Sequence, residues 1–71
     1  MKKRFRMENL ECANCAAKMQ DAISKLDGVN EVSISFMTQS MLLDCDNERE
    51  KEILAEAEKI CRRFEKNVKI G

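Results

Sequence analysis

Histidine, proline, tryptophan and tyrosine are all missing from this chain, and glycine occurs only twice. The lack of histidine excludes the most. It removes zinc fingers built from paired cysteine and histidine, Cys–His nucleophilic pairs and Ser–His–Asp triads together. Any acid–base enzyme built on this sequence would have to work with carboxylates and lysines alone. An excess of charge of one sign is missing too: 13 basic residues balance 13 acidic ones. A nucleic-acid binder needs a basic surplus to displace counterions from phosphates, and three phenylalanines offer little for stacking bases. No nucleic-acid partner is therefore expected. Long hydrophobic runs are absent, so this segment should not insert into a membrane, and no signal sequence opens it. No linker or repeat divides it. With 71 residues, the chain is expected to form one domain, 1–71, whose thin core demands an economical fold.

Two hydrophobic periods alternate along the sequence. Phe5 and Met7, two apart, read as a strand that enters a loop at Leu10. Ala16, Met19, Ile23 and Leu26 recur at steps of three and four, which makes one face of a helix from Asn14 to Leu26. Asp27–Gly28 stops it, with Gly28 suited to a left-handed cap. Val32, Ile34 and Phe36 alternate with serines, and Met41, Leu43 and Cys45 alternate again after a polar link, giving a hairpin. Asn47 with Glu50 reads as a capping box opening a second helix, whose stripe is Ile53, Ala57, Ile60 and Phe64, flanked by Leu54 and Cys61. Val68 and Ile70 form a last strand. The order βαββαβ predicts an α+β, ferredoxin-like fold, with a four-stranded antiparallel sheet carrying two helices on one face.

Four cysteines are present: Cys12, Cys15, Cys45 and Cys61. Without a secretory signal they are expected to be reduced. The topology puts the Cys12–Cys15 loop, the 36–40 hairpin and the end of the second helix at one end of the sheet. Cys45 lies about six residues down its strand from the hairpin tip, roughly 20 Å away at ~3.3 Å per residue. Cys61 lies only about one helical turn, ~5 Å, below that end. A four-thiolate cage is thus excluded, and the second CxxC of a zinc ribbon is missing.

Cys12 and Cys15, at the start of the first helix, should meet open backbone amides and the positive end of the helix dipole. Both thiol pKa values are expected to fall as a result. Thiolates serve metal binding and disulfide exchange alike. A thioredoxin-like site belongs to a different and usually longer fold, and cysteines at a polar loop are poor core residues. Two thiolates satisfy a soft monovalent ion such as Cu(I), whereas structural zinc wants four ligands. A two-thiolate site is open to a third ligand, which suits transfer more than storage.

"FRMENLECANCAAKM", followed by "LDGV" and "VSISF", resembles the heavy-metal-associated domain over essentially the whole chain. That family includes small metallochaperones and the cytosolic N-terminal domains of metal-exporting P-type ATPases. The resemblance implies metal binding through Cys12 and Cys15, a cytoplasmic location, and delivery to or from a transporter membrane domain or another metal-binding domain. It implies a binding module, not an enzyme, that passes its ion by ligand exchange. Members from zinc, cadmium and lead pumps also place a carboxylate, usually Asp, directly before the first cysteine, as Glu11 stands here. Glu11 is therefore expected to be the third ligand and Zn(II), Cd(II) or Pb(II) the cargo, since a hard carboxylate adds little for Cu(I). Cys61 is a second candidate for that position, with core packing as its structural role. Leu10 is expected beneath the metal loop, and Phe64 matches an aromatic that many members carry beside it. Free-standing Cu(I) chaperone and thiol-disulfide oxidoreductase are the alternatives. The chain is expected as a monomer that two-thiolate coordination can bridge into a dimer around one ion.

Overall fold

A computed structural model describes residues 2–71, and in it the two periods become strands and helices in the expected order. Strand β1 is Lys2–Glu8, helix α1 Ala13–Ser24, β2 Val29–Ser35, β3 Ser40–Cys45, α2 Glu50–Phe64 and β4 Lys69–Ile70. The strands lie in the order β2-β3-β1-β4, every neighbouring pair antiparallel. This is the ferredoxin-like arrangement.

Register follows burial. Phe5 and Ile34 both sit opposite Met41, and Met7 opposite Ile70, so the inward side chains of all four strands share one face. That face meets Ala16, Met19 and Ile23 of α1 and Ile53, Ala57 and Cys61 of α2, with Val68 closing the end. Met7, Met19 and Met41 are at most 1% exposed, where their flexible thioethers fill gaps between sheet and helices.

Three local expectations are corrected. A short 3₁₀ turn at Asn47–Arg49 precedes α2 and is capped by Asp46, whose carboxylate accepts the Glu48 N–H at 3.2 Å, while α2 itself, with Arg49 at its N-cap, has no side-chain cap. Asn47 lies within that turn, one residue too late to cap it. The stripe of α2 is centred on Ile53, Ala57 and Cys61, the i, i+4 row, which leaves Phe64 at its edge and 40% exposed. Helix α1 ends before Leu26, and Gly28 (φ 95°) serves the turn into β2 rather than the cap itself, which is Lys25.

A candidate metal site at the start of the first helix

Chain geometry at one end of the sheet builds the site. Cys12 is the N-cap of α1: its backbone is extended (φ −128°, ψ 115°), its carbonyl accepts the first helical N–H from Ala16 at 3.0 Å, and its Sγ accepts the Cys15 N–H at 3.2 Å. A thiol thus does what serine or aspartate commonly does at such a position. No acidic residue occupies the first turn of α1, so no carboxylate there competes for the helix's positive end. Both cysteines are half-buried and free.

The two thiols are biased in opposite directions. The hydrogen bond from the Cys15 thiol, supported by the Cys15 N–H, holds the Cys12 thiol below its usual range. That same thiol–thiol bond, with desolvation behind it, pushes Cys15 up. The expectation that both would fall is corrected for Cys15, because it is the donor in the shared hydrogen bond and gains nothing from staying ionised there.

The three residues before Cys12 are tied down from two other segments, the β2–β3 hairpin and the connection between α2 and β4. The Asn9 side-chain amide donates to the Asn67 carbonyl at 2.9 Å. The Gln39 side chain brackets Leu10, accepting its N–H at 3.0 Å and donating to its carbonyl at 2.6 Å, and donates also to the Phe36 carbonyl at 2.9 Å. The Glu11 N–H donates to Glu65 Oε2 at 3.0 Å. Leu10 itself is 3% exposed and joins the buried core.

Among the described residues, one set of three potential ligands has all of its donor atoms within 4.8 Å of one another: the sulfurs of Cys12 and Cys15 and a carboxylate oxygen of Glu65. Tetrahedral coordination with metal–sulfur bonds of about 2.3 Å needs the sulfurs about 3.8 Å apart, so small side-chain rotations close this set on an ion. The carboxylate of Glu11, expected there, lies outside the set, and Glu11 is exposed. Cys61 also lies outside it. It is wholly buried on α2, and burial pushes its thiol up to about 11. Cys45 is buried on β3, opposite Val29 and away from the loop.

Glu65 escaped notice in the sequence because it looked like the polar end of a helix. It is the residue at which α2 stops, in an extended conformation (φ −141°, ψ 116°), and this turn brings its carboxylate to the Cys12 loop. The signal was nonetheless present: the topology alone puts the end of α2 beside the first loop.

The family model for the heavy-metal-associated domain matches residues 4–66. The chain belongs to that family. It is accordingly a metal-binding module. Over 44 residues, 62% of this chain and 6% of the relative, it is 36% identical to the zinc/cadmium/lead-transporting P-type ATPase of Escherichia coli (strain K12). Over 70 residues, 99% of this chain and 10% of the relative, it is 21% identical to the cadmium, zinc and cobalt-transporting ATPase of Bacillus subtilis (strain 168). The chain thus spans a small fraction of the ATPases it matches. In fold it is similar to the putative copper-ion-binding protein from Bacillus anthracis str. Ames, with TM-score 0.78, 16% identity and coverage of 100% of this chain and 94% of that one. Among the described residues, no helix is long and apolar enough to cross a membrane.

Proposed function

We propose that this domain captures a heavy-metal ion from the cytosolic side between the thiolates of Cys12 and Cys15, and hands it on by ligand exchange. The observation that carries the reading is the pairing of two free, half-buried thiols at a helix N-terminus, in a member of a metal-binding family. Half-burial leaves the sulfurs reachable by an incoming thiolate. Exchange can then proceed one sulfur at a time, through an intermediate in which donor and acceptor share the ion. The acceptor is a second metal-binding domain or the membrane domain of a transporter.

The 36% identity to a zinc/cadmium/lead pump supports placing the domain at the N-terminal end of a metal-exporting P-type ATPase, with divalent Zn, Cd or Pb as cargo. Likeness in fold to a copper-ion-binding protein keeps Cu(I) as the second reading, at an identity that speaks only to fold. The domain works as a monomer that binds one ion and does no chemistry on it.

Equilibrium dialysis of the fully reduced chain against Cd(II), Zn(II) and Cu(I) tests this. One ion bound per chain is expected, with binding abolished in Cys12→Ser/Cys15→Ser. Retention of tight binding by the double variant would overturn the proposal.

A further inference from the structure

We propose that Asn9 and Gln39 are positioning residues for metal capture. Through bonds to the main chain they hold the loop before Cys12 in its ion-binding shape before the ion arrives. This deepens the proposed function and rests on capture by Cys12 and Cys15.

The two sulfurs are not held alike. Cys15 lies inside α1, so the helix fixes it. Cys12 is extended and follows residues 9–11, which belong to neither a strand nor a helix. Whether the two sulfurs converge is therefore decided by this loop. Ordering a loose loop on binding costs conformational entropy, which weakens capture of any ion. A loop ordered beforehand avoids that cost.

Asn9 and Gln39 supply the order. Among the described residues they are the two non-glycine residues with positive φ, 64° and 52°. Asparagine tolerates that conformation, whereas for glutamine it is costly. Such backbones persist where the surroundings hold them, and they cluster at functional sites. Each of these sends a side-chain amide across the fold. Asn9 Nδ2 fastens the loop to the Asn67 carbonyl, between α2 and β4. From the β2–β3 hairpin, Gln39 takes both the N–H and the carbonyl of Leu10, as a neighbouring strand would. The main-chain carbonyl of Gln39 accepts the Met7 N–H at 2.9 Å, so the clamp is itself anchored to the end of β1. The loop is thus gripped from two sides, two residues before the first thiol.

The consequence is a matter of populations. The apparent dissociation constant is the intrinsic one divided by the fraction of chains whose loop is ready. One hydrogen bond changes such a fraction by a factor of about 2 to 10. The clamps supply no donor atom to the ion, so their loss weakens Cd(II) and Cu(I) alike. Loss of a ligand would instead discriminate between ions and change the coordination shell.

The test is competition titration of the reduced chain with Cd(II) and, separately, with Cu(I), plus the ¹¹³Cd chemical shift at one equivalent. Asn9→Gly keeps a backbone that accepts positive φ and loses only the amide. Both of its dissociation constants should rise by about 2- to 10-fold. Gln39→Ala, which loses two bonds to Leu10, should raise both by about tenfold or more. In each variant the two factors should agree within about threefold, and the ¹¹³Cd signal should stay in place. Gly28→Ala, destabilised at the turn beside Asp46, is the control for general loss of stability and should keep the parent's constants while folded. The proposal is overturned if Asn9→Gly and Gln39→Ala bind as tightly as the parent, if Gly28→Ala weakens binding as much, or if the ¹¹³Cd signal moves. Should Gln39→Ala fail to fold, Asn9→Gly decides alone. Cys12→Ser/Cys15→Ser separates the two levels. Loss of Cd(II) there with no effect in the clamp variants removes only the positioning role, while retention of Cd(II) there removes the capture site itself.

Discussion

Cys61 carries the same side chain as Cys12, yet the fold gives the two opposite roles. Cys12 caps a helix at a half-buried loop and its thiol is held low, while Cys61 is wholly buried among Ile53, Ala57 and the sheet and its thiol is pushed up to about 11. Cys61 thus behaves as a small hydrophobe. Its linkage to stability has a definite sign. In the unfolded chain it ionises near 9, in the fold near 11, so the native state holds its proton longer. Whatever Cys61 contributes is complete below pH 9 and is lost as pH climbs toward 11. Urea titrations at pH 8 and pH 10.5 should therefore show a loss of stability in the parent that is smaller in Cys61→Ala. At pH 7 that variant should cost about 1–2 kcal/mol for the missing sulfur and leave Cd(II) affinity unchanged. Alkylation of the native apo-protein, read by mass spectrometry, should modify Cys12 and Cys15 and spare Cys45 and Cys61 until denaturant is added.

Between β2 and β3 the hairpin does more than reverse the chain. Gln39 adopts φ 52°, a conformation costly for a residue with a side chain, and its amide then reaches Leu10 twice and Phe36 once. The two bonds to Leu10 couple the hairpin to the loop that leads into Cys12, and the bond to Phe36 braces the hairpin itself. Gln39→Ala should cost about 1–3 kcal/mol, because the half-buried amide of Leu10 loses its partner. Gln39→Gly relieves the backbone at the same position but restores no side-chain bond. Amide hydrogen exchange at Leu10 should accelerate in both variants. Protection regained in Gln39→Gly would mean that the turn, not the clamp, orders the loop. The other turn carries its own requirement. Gly28 has φ 95°, and a methyl group there would approach Ile53 Cδ1 and Arg49 Nη1 to 3.2 Å. Arg49 can swing aside, but Ile53 is a core residue. Gly28→Ala should destabilise by about 1–3 kcal/mol in chemical denaturation.

At the scale of the whole molecule, a sheet and two helices share a thin core of 13 buried apolar residues among the described residues. A domain of this size buries only about 60% of the surface its unfolded chain exposes. Removing most of one core side chain, as in Ile53→Ala, costs about 2–5 kcal/mol, a large part of the roughly 5 kcal/mol expected at the low end for folded domains. That variant should therefore be partly unfolded near 37 °C. An ion held only by the native state adds about 2.7 kcal/mol at a hundredfold excess over its dissociation constant. Excess Cd(II) should raise the melting temperature of Ile53→Ala by calorimetry, and the rise should vanish when Cys12 and Cys15 are both serine.

The alternation of hydrophobic periods determined the fold by itself, since burying Phe5, Met7, Val32, Ile34, Met41 and Leu43 on one face leaves few arrangements for six elements in this order. The sequence also placed Cys45 far from the loop, because position along a strand converts directly into distance, but it left Cys61 within reach of the pair, and only the structure buries it in the core. What it could not decide was anything that depends on the direction of a single side chain. The expected cap at Asn47 moved one residue to Asp46 because a 3₁₀ turn precedes the helix, and Phe64 lies at the edge of the buried row instead of on it. Glu11 and Glu65 are the sharpest case. They are 54 residues apart in sequence, and only the break of α2 at Glu65 brings them together, with the amide of one holding the carboxylate of the other. Adjacency in the chain favoured Glu11. Tertiary structure put Glu65 beside the sulfurs, because a residue next to a helix cap points where the backbone takes it, whereas a residue that ends a helix can fold back across the top of the sheet.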